Sequence, residues 1–153
     1  MLKTLESTGQ KLEEMTSQQV FDFVGEYLFS QEDISVIEGT NDCVYEAYDG
    51  NRCAVGICLT EEQLSLVKEY GLNEEGLEKI IVDIHNGNTV QQEKCDVTGL
   101  RRRQTILEYL QNVHDNNDDR SISKEYLTVE LTKTAKNCKL TTDNLSHLFV
   151  EMV

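Results

Sequence analysis

Residues 43–63 read CVYEAYDGNRCAVGICLTEEQ, and three of the five cysteines of the chain fall within them. Asp49-Gly50 separates two apolar runs, which is the local signature of a β-hairpin with a tight two-residue turn. In that register Tyr48 faces Asn51, Glu46 faces Cys53 and Cys43 faces Gly56. Strand alternation then places Cys53 with Val44, Tyr48, Val55 and Ile57 on one face, and Cys43 and Cys58 with Tyr45, Ala47 and Ala54 on the other. Cys43 and Cys53 cannot pair in this arrangement, and strand alternation sends the two thiols of Cys53-x4-Cys58, the nearest spacing to a zinc pair, to opposite faces. Cys95, Cys138, His85 and His114 could complete a zinc set only through tertiary convergence. The expectation is therefore that the thiols are small buried core residues, with no metal and no cofactor.

Outward from this stretch the pattern is helical. Thr16 and Gln19 form a capping box ahead of Val20, Phe21, Val24, Tyr27 and Leu28, which predicts a helix over 17–30. Thr60 and Gln63 form a second box leading to Leu64 and Val67, with a stop at Gly71. Asn73 can cap a helix carrying Leu77, Ile80, Ile81 and Ile84. Ile106, Leu107, Leu110 and Val113 share one face of a helix over about 100–114. Ser123 starts another with Tyr126, Leu127 and Leu131. Thr141 or Thr142 caps a last one with Leu145, Leu148, Phe149 and Met152. A hairpin is marginal alone, so the predicted class is α+β: about six helices packed around a short antiparallel hairpin. No repeat or domain boundary is visible, and the expectation is one globular domain over 1–153 with residues 1–11 as a flexible start.

Charge is the strongest compositional feature. Fourteen basic and 28 acidic residues give a formal net charge of −14. Residues 1–50 hold 2 basic and 11 acidic residues, 51–100 hold 4 and 9, and 101–153 hold 8 and 8. Such a surface repels phosphate backbones, so direct nucleic-acid binding is not expected. It suits a basic protein partner, with Asp22, Glu26, Glu32, Asp33, Glu38, Glu61, Glu62, Glu69, Glu74, Glu75 and Glu78 as candidate contacts. Arg101, Arg102 and Arg103 are the one compact basic run, a candidate contact for an anion or an acidic partner, or for an intramolecular charge match. No apolar stretch approaches the length of a bilayer span, and the N-terminal residues are not those of a secretory signal. The thiols suit a reducing, cytoplasmic setting, and self-association is left open.

Candidate chemistry is sparse. Asp115, Asn117 and Asp119 begin like a calcium loop, but Arg120 stands where glycine is required and Tyr126 where the bidentate glutamate is required. His114-Asp115 is a candidate acid–base pair, and Cys53 a candidate nucleophile, without a partner placed by local spacing. His85 and His114 sit where a histidine interacts favourably with a helix C-terminus, and His147 is expected on an exposed face. There is no Walker loop, dinucleotide fingerprint, H-E-x-x-H or G-x-S-x-G.

Cys43-x-Tyr45, Asp49-Gly50 and Cys53-Ala54-Val55-Gly56, with Leu110-Gln111 and His114-Asp115 downstream, resemble small uncharacterised proteins encoded by tailed bacteriophages. Glu46 departs from that pattern, which more often has a basic residue there. The resemblance implies a phage or prophage origin, hence action in a host cytoplasm, and supplies no activity. Composition and resemblance together point to a non-enzymatic interaction module, a phage inhibitor or modulator of a host protein that mimics nucleic-acid charge. The alternatives are a small enzyme or ligand-binding protein built on a histidine/carboxylate site, and a virion-associated or structural role.

Overall fold

The computed structural model describes residues 4–30, 52–69, 71, 76–86, 97–115 and 123–150. Six α-helices lie among them: α1 (Ser17–Ser30), α2 (Glu61–Glu69), α3 (Leu77–Asn86), α4 (Thr98–Arg102), α5 (Gln104–Asp115) and α6 (Lys124–Asn137). Short 3-10 turns precede α1, at Glu6–Thr8 and Leu12–Glu14, and one precedes α2, at Gly56–Cys58. Another, Ser146–Leu148, lies in the C-terminal segment. No helix among the described residues is long and apolar enough to cross a membrane.

The α+β expectation is overturned: the described residues contain no β-strand, and the fold they form is all-helical. Residues 43–51, the first arm and turn of the expected hairpin, lie outside the described part. The expected second arm is not a strand. Arg52 is a lone bridge residue, and the chain then turns through Ala54 and Val55 into the Gly56–Cys58 turn. The Ile57 amide bonds the Cys53 carbonyl at 3.1 Å and the Cys58 amide bonds the Val55 carbonyl at 2.9 Å. These contacts follow the chain locally instead of crossing to a neighbouring strand. The physical reason lies in the environment. Alternation requires one face to differ from the other, yet every residue from Arg52 to Leu59 is buried. A short run that is apolar on all sides does not distinguish strand from compact turn.

That run can be buried because polar side chains satisfy its backbone. The Tyr27 hydroxyl donates to the Arg52 carbonyl at 2.7 Å and accepts from the Arg52 amide at 3.0 Å. The Gln111 side chain of α5 accepts from the Val55 amide at 2.9 Å, and the Cys53 sulfur accepts from the Gly56 amide at 3.2 Å. The Leu5 amide reaches the Ile57 carbonyl at 3.0 Å. A buried peptide without such partners would be costly.

The helix starts follow their capping residues. Thr16 accepts from the Gln19 amide at 3.1 Å while the Gln19 side chain accepts from the Thr16 amide at 2.9 Å, which closes the box ahead of α1. Thr60 and Gln63 repeat this at 3.1 and 2.9 Å ahead of α2. Ser123 accepts from the Tyr126 amide at 3.1 Å and starts α6. α5 is the hub, in contact with α1, α3, α4 and α6, and α2 packs on α3. Phe21, Leu28, Ile80, Ile81, Ile84, Leu107 and Leu110 are fully buried. Each such side chain contributes roughly 1.5–3 kcal/mol relative to exposure.

Two further expectations are corrected. The single helix over 100–114 is broken at Arg103 into α4 and α5. Gly99 lies so close to the Leu12–Glu14 turn that an added Cβ would sit 2.9 Å from the Glu13 nitrogen, so α4 packs against that turn. Over residues 141–150 the expected last helix is an irregular strap with the Ser146–Leu148 turn, and Met152 lies outside the described residues. Side chains of other helices take its backbone groups instead. Gln18 pairs with both the carbonyl and the amide of Thr141, each at 2.9 Å, and Thr128 accepts from the Val150 amide at 3.1 Å. Asn144 donates to Asp22 at 2.7 Å, and Leu145 fills the space above Gly25. The strap begins where α6 ends, in a Schellman motif: the Leu140 amide bonds the Ala135 carbonyl at 2.7 Å, with Lys139 in the left-handed region at φ 58°.

Candidate functional site

The acidic candidates divide into side chains with structural partners and side chains facing solvent. Asp22 is half-buried and bonds Gln18 at 2.9 Å as well as Asn144, so it anchors the C-terminal strap. Glu61 pairs with the Arg52 guanidinium at 2.6 Å. The Glu78 carboxylate accepts from the Gln104 side-chain amide. Glu26, Glu62 and Glu69 are exposed and form no ion pair among the described residues. Glu62 and Glu69, one heptad apart on α2, share a helix face. Glu32, Asp33, Glu38, Glu74 and Glu75 lie outside the described residues.

The arginine run binds its own chain. Arg102 donates to the Glu13 carbonyl at 3.3 Å, which ties α4 to the Leu12–Glu14 turn, and Arg103 donates to the Ser17 hydroxyl at 3.1 Å, which ties the junction of α4 and α5 to the start of α1. Arg101 is exposed.

His114 and Asp115 form the last turn of α5; their side chains fall outside the described part, as do residues 116–122 of the calcium-like sequence. His85 is exposed at the end of α3, and His147 is exposed in the Ser146–Leu148 turn. Cys53 is fully buried in the core segment. Burial pushes the Cys58 thiol up to about 12, so it stays protonated and is a poor nucleophile. Burial also raises Cys138 above its usual value. Cys43 and Cys95 lie outside the described residues, and no group of metal-ligating side chains occurs among those described.

A groove of about 370 Å³ opens between the N-terminal turns, the start of α2 and α4. Leu5, Leu12, Cys58 and Leu100 are buried at its base, while Glu6, Lys11, Glu13 and Glu62 stand around it with greater exposure. Glu6 is partly committed: one of its oxygens accepts from the Glu61 amide at 3.0 Å, where the N-terminal end of α2 favours a carboxylate. Sequence reading missed Glu6, Lys11 and Glu13 as a group. The available signal was Leu5 and Leu12 on an acidic segment, too short a pattern to distinguish a docked turn from a solvated tail.

Comparison with known protein families, with curated proteins and with solved structures finds no match to this chain.

Proposed function

We propose that this protein is an acidic interaction module that engages a basic surface of another protein. The observation that carries this reading is the net charge of −14, concentrated before residue 101, with Glu26, Glu62 and Glu69 exposed and held by no internal ion pair among the described residues. Exposed carboxylates without internal partners add little to stability but steer a cationic partner and suppress binding to nucleic acid. The resemblance to small phage proteins makes a host protein with a basic groove the natural partner class. The test is affinity capture from host lysate at low salt and at 0.5 M NaCl, in parallel with a Glu26→Gln, Glu62→Gln, Glu69→Gln variant. Partners of the native chain are expected to be lost both at high salt and in the variant. Identical capture under all conditions removes the reading.

A further inference from the structure

The acidic groove combines a buried apolar base with carboxylates at its rim, and that combination defines an occupant more narrowly than charge alone. Leu5, Leu12, Cys58 and Leu100 line its floor and, being almost wholly buried, leave open only a narrow apolar strip. Glu6, Glu13 and Glu62 also line it; Lys11 is the basic side chain of the lining, and the Arg102 guanidinium reaches the Glu13 carbonyl beside it. A small metal cation would gain nothing from that base, and a neutral apolar ligand nothing from the carboxylates. An arginine or lysine side chain uses both, because its methylene stem lies on apolar surface while its cationic head remains at the polar edge. Resting on the acidic-module reading, we propose that this groove receives an arginine or lysine side chain of the basic partner protein.

The source is a protein segment, not a free amine, because negative charge continues beyond the groove. Glu69 lies on the same face of α2 as Glu62, two helical turns further on. A chain with several basic residues spans that distance, with one side chain seated in the groove and the next beside Glu69. A single small amine engages only the groove. Arginine is the better fit of the two residues where a planar head meets more than one carboxylate.

The experiment uses the full chain and a fluorescein-labelled peptide of four Arg-Gly repeats, with affinity read by fluorescence anisotropy and location by amide chemical shifts. Glu62→Lys is expected to weaken binding by about threefold to tenfold, and Lys11→Gln to strengthen it by about twofold to threefold. Both side chains are exposed, so neither variant disturbs the core. Shifts are expected to centre on Leu5, Leu12, Cys58 and Leu100. Affinities unchanged in both variants, shifts centred elsewhere, or no binding of the peptide overturn the groove assignment. Spermine binding as tightly as the peptide overturns the protein side chain as the source. Lysate capture that is lost in the triple glutamate variant yet unaffected by Glu62→Lys leaves the acidic-module reading standing without the groove.

Discussion

The Tyr27 hydroxyl brackets the Arg52 peptide, donating to its carbonyl at 2.7 Å and accepting from its amide at 3.0 Å, with both residues buried. One side chain of α1 thereby fixes the start of the central segment 52–59. Tyr27→Phe keeps the ring and removes both bonds. We expect a loss of about 1–3 kcal/mol in urea unfolding, with a lower midpoint and unchanged slope. A loss under about 0.5 kcal/mol would show that the bracket is energetically idle.

Gly25 and Gly99 both sit at close approaches, but of different kinds. A Cβ at Gly25 meets the end of the Leu145 side chain at 2.5 Å, which can rotate or shift with the strap. A Cβ at Gly99 meets the Glu13 backbone nitrogen and the Leu12 Cβ, both at 2.9 Å, which cannot move without their turn. Alanine gains up to about 1 kcal/mol of helix propensity at either position. Gly25→Ala is therefore expected within about 1 kcal/mol of neutral, and Gly99→Ala to cost about 1–3 kcal/mol net. Equal thermal midpoints for the two variants would contradict this difference.

Lys139 occupies the left-handed position that glycine usually fills where a helix ends in this motif. Relief of that conformation is worth about 1–2 kcal/mol, offset in part by the greater freedom of glycine in the unfolded chain. Lys139→Gly is expected to stabilise the fold by up to about 1 kcal/mol in chemical denaturation. Destabilisation would mean that the lysine side chain contributes more than its backbone strain costs.

Cys58 gives the fold an alkaline weakness. Its pKa is raised by burial from 9.0 to about 12. Below pH 9 the thiol is protonated in both states and its contribution to stability is complete. Above 9 the unfolded chain releases the proton first, so stability falls until the folded-state pKa is passed. This group alone contributes a slope of about −1.4 kcal/mol per pH unit within that window. Comparison of wild type with Cys58→Ala between pH 8 and 11 isolates it from the lysines and tyrosines. The stability gap is expected to close as pH rises, and parallel curves would refute the assignment. At pH 8 a thiol reagent should modify Cys138, which is partly exposed, well before Cys58.

The parts of the fold legible in the sequence are those decided within four residues. Thr16 with Gln19, Thr60 with Gln63, and Ser123 each announce a helix start through side-chain bonds to nearby amides, and the structure places α1, α2 and α6 there. The failures arise where distant residues decide. Val55 and Arg52 are held by Gln111 and Tyr27, from helices 56 and 25 residues away, and no local pattern announces either contact. The strap after Lys139 has the apolar spacing of a helix, yet Gln18 and Thr128 take backbone groups that a helix would have used. The acidic character of the candidate surface was readable from composition. Its division was not, because the sequence does not show that Asp22 meets Asn144 or that Glu61 meets Arg52.

The paired bonds between Gln18 and Thr141 close a loop of 123 residues. Closure over that distance is entropically costly before any contact rewards it, and we expect the strap to dock after the helices have assembled. Interactions absent from the folding transition state govern the rate of escape from the native state, not the rate of reaching it. Gln18→Ala should therefore leave the refolding arm of a chevron in place and raise the unfolding arm. That outcome would make the strap a kinetic latch, which sets how long the native protein persists more than how fast it forms.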